Sequence, residues 1–284
     1  KRRHGRGRDG MKTLSRFYTL LIFLFLYAPI AVLIVFSFND SATMSRSVWS
    51  GFTVKWYARL FQDGMLLQAL RNTLVIAVAA AAVSTVLGTA AALGINGMSR
   101  WMRRVVMNVT NLPMVNPDIV TGVSLMLLFV AATGLLGGVS LGMASLILSH
   151  ITFCLPYVIL SVMPKLRQMD PNLYEAAQDP SHCKHTSQPA RAFFRVVLPE
   201  IMPGVVTGLI MAFTLSIDDF VVSYFTSGTT QTLPIFIYSM TRKRVSPEIN
   251  ALSALLFAII LALLVVINVR TARQGRRAEA RKEA

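Results

Sequence analysis

The chain has 284 residues, of which 54% are hydrophobic and 14% charged, whereas a soluble domain usually carries about 25% charged residues. This deficit, together with several apolar runs of about 20 residues, argues against a soluble domain and predicts an all-α, polytopic membrane protein. The net charge of +15 would suggest nucleic-acid binding in a soluble chain. Here the basic residues lie beside apolar runs, so membrane topology explains them and no nucleic-acid partner is expected.

The predicted elements begin with a basic tail over residues 1–16, which is expected to be disordered. A membrane domain of six spans is predicted over residues 17–269, and a charged tail follows over residues 270–284. The six predicted helices are Phe17–Phe36, Ala69–Ile95, Val105–Ala132, Gly142–Val162, Pro203–Phe225 and Ala251–Val269.

Several spans and connections carry local signals. Lys55–Phe61 predicts a short helix at the membrane interface, among the aromatic residues that favour that position. The second span is rich in small residues, which predicts close packing at the bundle centre. Pro113 and Pro117 interrupt the third span, which is therefore expected to be kinked or split. His150 in the fourth span is expected to be a hydrogen-bonded packing residue, with a proton relay as the alternative.

Lysine and arginine are distributed unequally between the two sides that six spans define. The side with both termini and the polar segment 163–202 carries 21 of them, against 7 on the other side. Because cytoplasmic loops are enriched in these residues, the count predicts that both termini and segment 163–202 are cytoplasmic.

Three carboxylates lie in or near predicted spans, on Asp118, Asp218 and Asp219. A charge at the bilayer centre costs roughly 2.5–3.5 kcal/mol on insertion scales, so each carboxylate needs a partner or a function. One interpretation is a path for a cationic substrate, to which Tyr224 adds cation–π contacts. The alternative is structural: the carboxylates bind backbone amides freed at Pro117, or cap a broken helix.

Patterns for catalysis and metal binding are missing from the sequence. It contains no GxxxxGK[ST] phosphate-binding loop and no nucleophile–base arrangement, so the chain is not expected to be an enzyme or to hydrolyse ATP. Cys183 lies between His182 and His185, but this spacing fits no zinc site. Cys154 lies in an apolar run, at a different depth from Cys183, so neither a metal site nor a disulfide is expected.

The polar, basic segment Glu175–Pro199 separates two of the longest apolar runs. It is too polar to lie in the bilayer, and it contains an amphipathic stretch that begins at Pro189. A loop with its own helix-forming pieces and an apolar face is typical of a docking element.

Both ends of this segment resemble the EAA loop of ATP-binding cassette (ABC) importer permeases. The matching residues are Glu175, Ala176, Ala177, Leu198 and Pro199. In that family the loop forms short coupling helices that seat in a groove on the ATPase subunit. The family pattern is EAA-x3-G-x9-I-x-LP. Here Ser181 stands at the glycine position, and 14 residues separate it from Val196 where nine are usual.

Further motifs resemble those of polyamine-type permeases, over about Phe17 to Val269. They are Tyr27–Ile30, Phe36–Asn39, Phe52–Thr53, Lys55–Tyr57, Asn116–Val120, Ser149–Pro156, Phe213–Asp219 and Ser246–Leu252. Together they are most similar to the second (C-type) permease subunit of spermidine/putrescine importers. The resemblance implies a type I importer permease fold in the bacterial inner membrane. It also implies four kinds of partner: a second permease subunit, two ATPase subunits that use ATP, an external solute-binding protein and a polyamine substrate.

The predicted loop before the sixth span is strongly charged and lies opposite segment 163–202. Arg242, Arg244 and Glu248 belong to it. They are candidates for docking the binding protein, and a solvated loop is the alternative.

Two other classes of function remain open at this point. An ion-coupled secondary transporter of a small cation would use Asp218 and Asp219 as coupling sites, although the inverted repeats that often mark this class are not evident. A non-transporting membrane scaffold would leave the three carboxylates unexplained.

Overall fold

The computed structural model describes residues 5–40, 49–136, 140–169, 193–243 and 248–259, together with 261, 262 and 265. Its helices are α1 (Gly5–Phe36), α2 (Lys55–Leu60), α3 (Gly64–Asn96), α4 (Arg100–Val115), α5 (Asp118–Leu136), α6 (Met143–Gln168), a π-helical turn (Phe193–Val197), α7 (Leu198–Asp218), α8 (Val221–Thr226), α9 (Leu233–Lys243) and α10 (Glu248–Ile259). Within these ranges, α1, α3, α5, α6 and α7 are long and apolar enough to cross a membrane. The expected all-α membrane fold is therefore confirmed, and α10 is the described part of the sixth predicted span.

The first helix begins earlier than the sequence predicts. Residues 5–16, expected to be a disordered basic tail, continue α1 back to Gly5. The arginines and lysine there are good helix formers but Gly5, Gly7 and Gly10 are poor ones, so the extension depends on the low cost of adding residues to a helix that is already nucleated. The apolar part of α1 supplies that nucleus.

The chain forms two compact units, one of residues 1–64 with 237–284 and the other of residues 65–236. In the first unit, the predicted short helix forms as α2, and its Trp56 is buried. The indole N–H of Trp56 donates a hydrogen bond to the backbone oxygen of Asn39 at 2.9 Å. Ser37 Oγ lies 2.7 Å from the Tyr57 hydroxyl. Trp56 therefore holds the segment after α1 in place rather than lying at the protein surface.

The second unit is built on close contact of α3, α6 and α7. A Cβ atom at Gly88 of α3 would lie 2.7 Å from Cγ1 of Val158 in α6. On α7, a Cβ at Gly204 would lie 2.8 Å from the backbone oxygen of Ser161, and one at Gly208 would lie 3.2 Å from Val158 Cα. Small residues let helices approach this closely in lipid. The prediction that the second span packs closely is confirmed.

Two of the predicted spans are broken. The third splits between Val115, where α4 ends, and Asp118, where α5 begins. This break is the one expected from Pro117, which has no N–H to donate. The fifth was predicted as one helix over Pro203–Phe225, and that boundary is wrong, since α7 runs from Leu198 to Asp218 and α8 is separate.

Candidate functional site

The break between α7 and α8 is organised by Asp219. Its backbone is extended, with φ −64° and ψ 118°. The N–H of Val222 donates to Asp219 Oδ1 at 3.2 Å, and the N–H of Ser223 donates to Oδ2 at 2.8 Å. A carboxylate that accepts from the first free amides of a helix caps that helix. Asp219 thus ends α7 and starts α8.

Behind this cap lies a buried polar cluster around His150 of α6. His150 Nδ1 lies 2.7 Å from Ser216 Oγ on α7, and Nε2 lies 3.0 Å from Ser223 Oγ on α8. The Asp219 carboxylate is 7% exposed, with Oδ2 3.6 Å from His150 Nε2. We call His150, Ser216, Asp219 and Ser223 the histidine cluster. Both ring nitrogens of His150 are partnered, as a hydrogen-bonded packing residue requires.

Two further bonds fasten α6 to the same helices. Ser145 Oγ donates to the Thr226 oxygen at 2.8 Å, and Cys154 Sγ donates to the Ala212 oxygen at 3.4 Å. These partners lie on either side of the histidine cluster along α6. The break is therefore held by α6 over several turns.

The remaining predicted path residues lie on the exposed side of the two breaks. Asp118, at the start of α5, and Asp218, at the end of α7, are exposed. Tyr224 is 48% exposed, and its ring centroid lies 5.5 Å from that of Phe220. The structure thus separates Asp218 from its neighbour Asp219, because the helix ends between them.

The two breaks are neighbours because α5 packs on α8. A Cβ at Gly122, one turn into α5, would lie 2.9 Å from Cδ2 of Phe225 and 3.4 Å from the Val221 oxygen. Gly122 is one turn from Asp118, and Val221 is two residues from Asp219. The helix ends that carry Asp118 and Asp218 therefore lie in one region of the second unit.

A cavity of about 530 Å³ opens between α4, α5 and α6 beside the first break. Its lining is Leu112, Pro113, Val115, Asn116, Thr121, Ser124, Leu125, Thr152 and Phe153. This mixture of apolar walls and neutral polar groups suits an alkyl chain with polar ends. None of the predicted carboxylates is among these lining residues.

Comparison with known proteins decides what kind of protein contains these broken helices. Residues 84–278 match the profile of the family described as "Binding-protein-dependent transport system inner membrane component". That is more than half of the sequence. The chain belongs to this family. The permease is 40% identical to the putrescine transport system permease protein PotI of Escherichia coli (strain K12), over 84% of this chain and 83% of the relative.

Two other relatives are spermidine/putrescine transport system permease proteins named PotC. The permease is 40% identical to the one from Escherichia coli (strain K12), over 87% of this chain and 88% of the relative. It is 36% identical to the one from Haemophilus influenzae, over 92% of this chain and all of the relative. The family and these relatives are transport permeases rather than enzymes.

A solved structure shows the same fold. The permease superposes on a chain of a bacterial ABC transporter involved in import of the acidic polysaccharide alginate with a TM-score of 0.72. The match covers 94% of this chain and 96% of that one, at 17% identity. The type I ABC importer permease fold expected from the sequence is confirmed.

The predicted coupling segment, Glu175–Pro199, is described by the structure only from residue 193 onward. Glu175, Ala176, Ala177 and Ser181 lie outside the described residues. Leu198 and Pro199 form the first turn of α7. Around them, Val197 is 3% exposed and Ile201 is fully buried in the core shared by α3, α6 and α7. The exit of the segment is thus fixed to the helix core of the permease.

The candidates for docking a binding protein lie in the first unit. Arg242 is exposed near the end of α9, and Arg244 lies outside the described residues. Glu248 starts α10, and its Oε1 lies 3.8 Å from Arg59 Nη1. Glu248 therefore has an intramolecular partner on α2, and docking remains a prediction for these three residues.

Ser216 and Ser223 were not predicted as partners of His150. Both are common small residues in apolar helices, so neither stands out alone. The available signal was their spacing, since Ser216 precedes Asp219 by three residues and Ser223 follows it by four. A hydroxyl one turn to each side of an intramembrane carboxylate is a signal of interhelical hydrogen bonding.

Proposed function

We propose that this permease is one of two membrane subunits of an ATP-driven importer of polyamines in the bacterial inner membrane. The observation that carries the proposal is its 40% identity to relatives named as putrescine and spermidine/putrescine permeases, over more than four-fifths of each chain. Its partners would be a second permease, two ATPase subunits that use ATP and an external solute-binding protein. A related alginate transporter has been solved in complex with a periplasmic protein.

In this proposal the exposed groups at the helix breaks face the substrate. Asp118 and Asp218 would offset the ammonium charges, and Tyr224 with Phe220 would contact the alkyl stem and add cation–π attraction. Asp219 is buried and already accepts two backbone hydrogen bonds. Its role would be to position Asp218 and α8.

Movement would reach this region through α7. The 21 residues of α7 span about 30 Å, from the exit of the coupling segment to Asp218. With the coupling segment and both termini in the cytoplasm, closure of the ATPases on Glu175–Pro199 would shift α7 together with α6. The histidine cluster would carry that shift to α8 and the helix breaks.

Substrate recognition is tested by Asp218→Asn in the assembled transporter. We expect uptake of labelled putrescine and spermidine at low concentration to fall about tenfold, because the ammonium group then meets a neutral amide oxygen instead of a carboxylate and the charge-assisted part of the hydrogen bond is lost. Asp63→Asn is the matched control, since Asp63 belongs to the other compact unit. Equal uptake by the two variants would contradict a substrate role for Asp218.

Coupling is tested by Glu175→Ala in the same transporter. We expect the ATPase subunits to co-purify less and uptake to fall, whereas Glu279→Ala, in the charged tail, should change neither. Full uptake and full ATPase recovery with Glu175→Ala would contradict the coupling role of this segment.

A further inference from the structure

A second cavity of about 530 Å³ lies between the start of α4 and the end of α6. It is lined by Arg100, Arg103, Arg104, Met107, Asn108 and Arg167. Four of these six residues are arginines, and no carboxylate is among them. We call this the arginine cavity. It lies where α4 begins and α6 ends, and that end of α6 leads into segment Glu175–Pro199.

The arginines of this cavity have no counter-charge in the described part of the protein. The ion pairs found there use Lys55, Arg59 and His150 as the basic partner. Three of these arginines are exposed and Arg103 is half-buried, so water screens part of their mutual repulsion. An anion bound among them would remove the rest of that repulsion. The guanidinium group of arginine matches a phosphate better than the ammonium group of lysine does, because it donates two parallel hydrogen bonds.

The face of α4 next to the arginines indicates what kind of molecule carries the anion. No residue of α4 is buried. Trp101, Val105, Val109 and Leu112 are 71%, 42%, 58% and 63% exposed, and their spacing of four, four and three residues forms one stripe along the helix. Tryptophan favours the headgroup level of a membrane. The apolar stripe, which suits lipid acyl chains, therefore lies beside the arginine cavity, which suits a charged headgroup.

We propose that the arginine cavity binds the phosphate of an anionic phospholipid whose acyl chains lie along the apolar stripe of α4. Basic pockets between membrane helices recognise anionic headgroups in this way. A free phosphate ion would use the arginines but not the stripe. The bound lipid joins the beginning of α4 to the end of α6, next to the coupling segment.

The test is native mass spectrometry of the assembled, full-length transporter titrated with dioleoylphosphatidylglycerol or dioleoylphosphatidylcholine. The double variant Arg103→Gln, Arg167→Gln is compared with Arg16→Gln, Arg71→Gln, which removes the same charge from arginines outside the cavity. Each arginine at an anionic surface contributes about fivefold in affinity, so the cavity variant should bind phosphatidylglycerol about 30-fold more weakly. The control variant should stay within about threefold of the native transporter.

Further arms keep the proposal falsifiable if the glutamine variant is unstable. Arg103→Lys, Arg167→Lys keeps the charge and should retain most of the preference for phosphatidylglycerol. Equal binding of phosphatidylcholine and phosphatidylglycerol by the native transporter would overturn the proposal. So would displacement of the lipid by millimolar inorganic phosphate, which would indicate a free-anion site. Loss of ATPase subunits from the glutamine variant with unchanged lipid binding would also overturn it, since the arginines would then dock protein.

Discussion

At the scale of single residues, the adjacent carboxylates Asp218 and Asp219 have different surroundings. Asp219 is enclosed by the first amides of α8 and by His150, whereas Asp218 ends α7 at an exposed position. A buried carboxylate that already accepts hydrogen bonds from the protein is poorly accessible to the ammonium group of a substrate. The exposed neighbour keeps its charge available.

This difference predicts how substitutions at Asp219 behave. Asp219→Ala removes the cap of α8 and should lower stability by about 1 kcal/mol or more, seen as a lower melting temperature of the purified transporter. Asp219→Asn keeps an acceptor for the amides and should lie closer to the native value, with uptake largely retained. If Asp219→Asn is stable but lowers polyamine uptake about as much as Asp218→Asn does, the carboxylate charge of Asp219 acts on substrate directly.

His150 gives a second prediction at this scale. His150→Phe leaves the hydroxyls of Ser216 and Ser223 buried without their partner, at a cost of about 1–3 kcal/mol. His150→Gln can bond one of the two serines and should recover part of the loss of melting temperature. A His150→Phe transporter with native stability and no uptake would instead favour a proton relay.

At the scale of helices, the pair α6 and α7 is held together by the close approach at Gly204 and Gly208. The approach leaves no room for a side chain at Gly204, where a Cβ would lie 2.9 Å from Lys165 Cγ and 3.2 Å from Val162 Cα. If α7 transmits movement from the coupling segment, this interface has to stay closed along its length.

The same substitution at two glycines tests that interface. Gly204→Ala should destabilise the transporter by about 1–3 kcal/mol through overpacking, and it should weaken the link between ATP hydrolysis and uptake. Gly94→Ala is the matched control, because a Cβ at Gly94 meets nothing within 4 Å and alanine favours a helix by up to about 1 kcal/mol. Comparable melting temperatures and coupling ratios for both variants would contradict the proposed role of the interface.

The helix breaks show how far the sequence predicts this fold. Pro117 lies between α4 and α5 and has no N–H to continue the hydrogen bonding of α4. The break therefore follows from the local sequence. The break at Asp219 was missed because the apolar run continues through it to Phe225. Its cap is local, since Asp219 accepts from the N–H groups of Val222 and Ser223, and the cap of a broken helix was the structural alternative for these carboxylates. The tertiary part is the burial of this cap against His150, which is distant in sequence. The arginine cavity depends on the packing of α4 near α6. Counting the lysines and arginines of each loop predicts topology but not which helices pack together.

At the scale of the whole molecule, the permease joins a segment that resembles a coupling loop to two helix breaks in its second unit. The segment between α6 and α7 carries the resemblance to the coupling loop, and its exit at Leu198 and Pro199 is fixed in the core. The exposed carboxylates lie at the two breaks, Asp118 at the start of α5 and Asp218 at the far end of α7. ATP-driven transport requires both parts in one chain, with the ATPase as a separate subunit.

The most direct test of this account is uptake of labelled putrescine and spermidine by proteoliposomes that contain the assembled transporter. We predict uptake only when two components are present: ATP on the side of the ATPases and the solute-binding protein on the opposite side. A protonophore should have no effect on this uptake. Uptake that continues without ATP and collapses with the protonophore would contradict the account and assign the permease to ion-coupled transport.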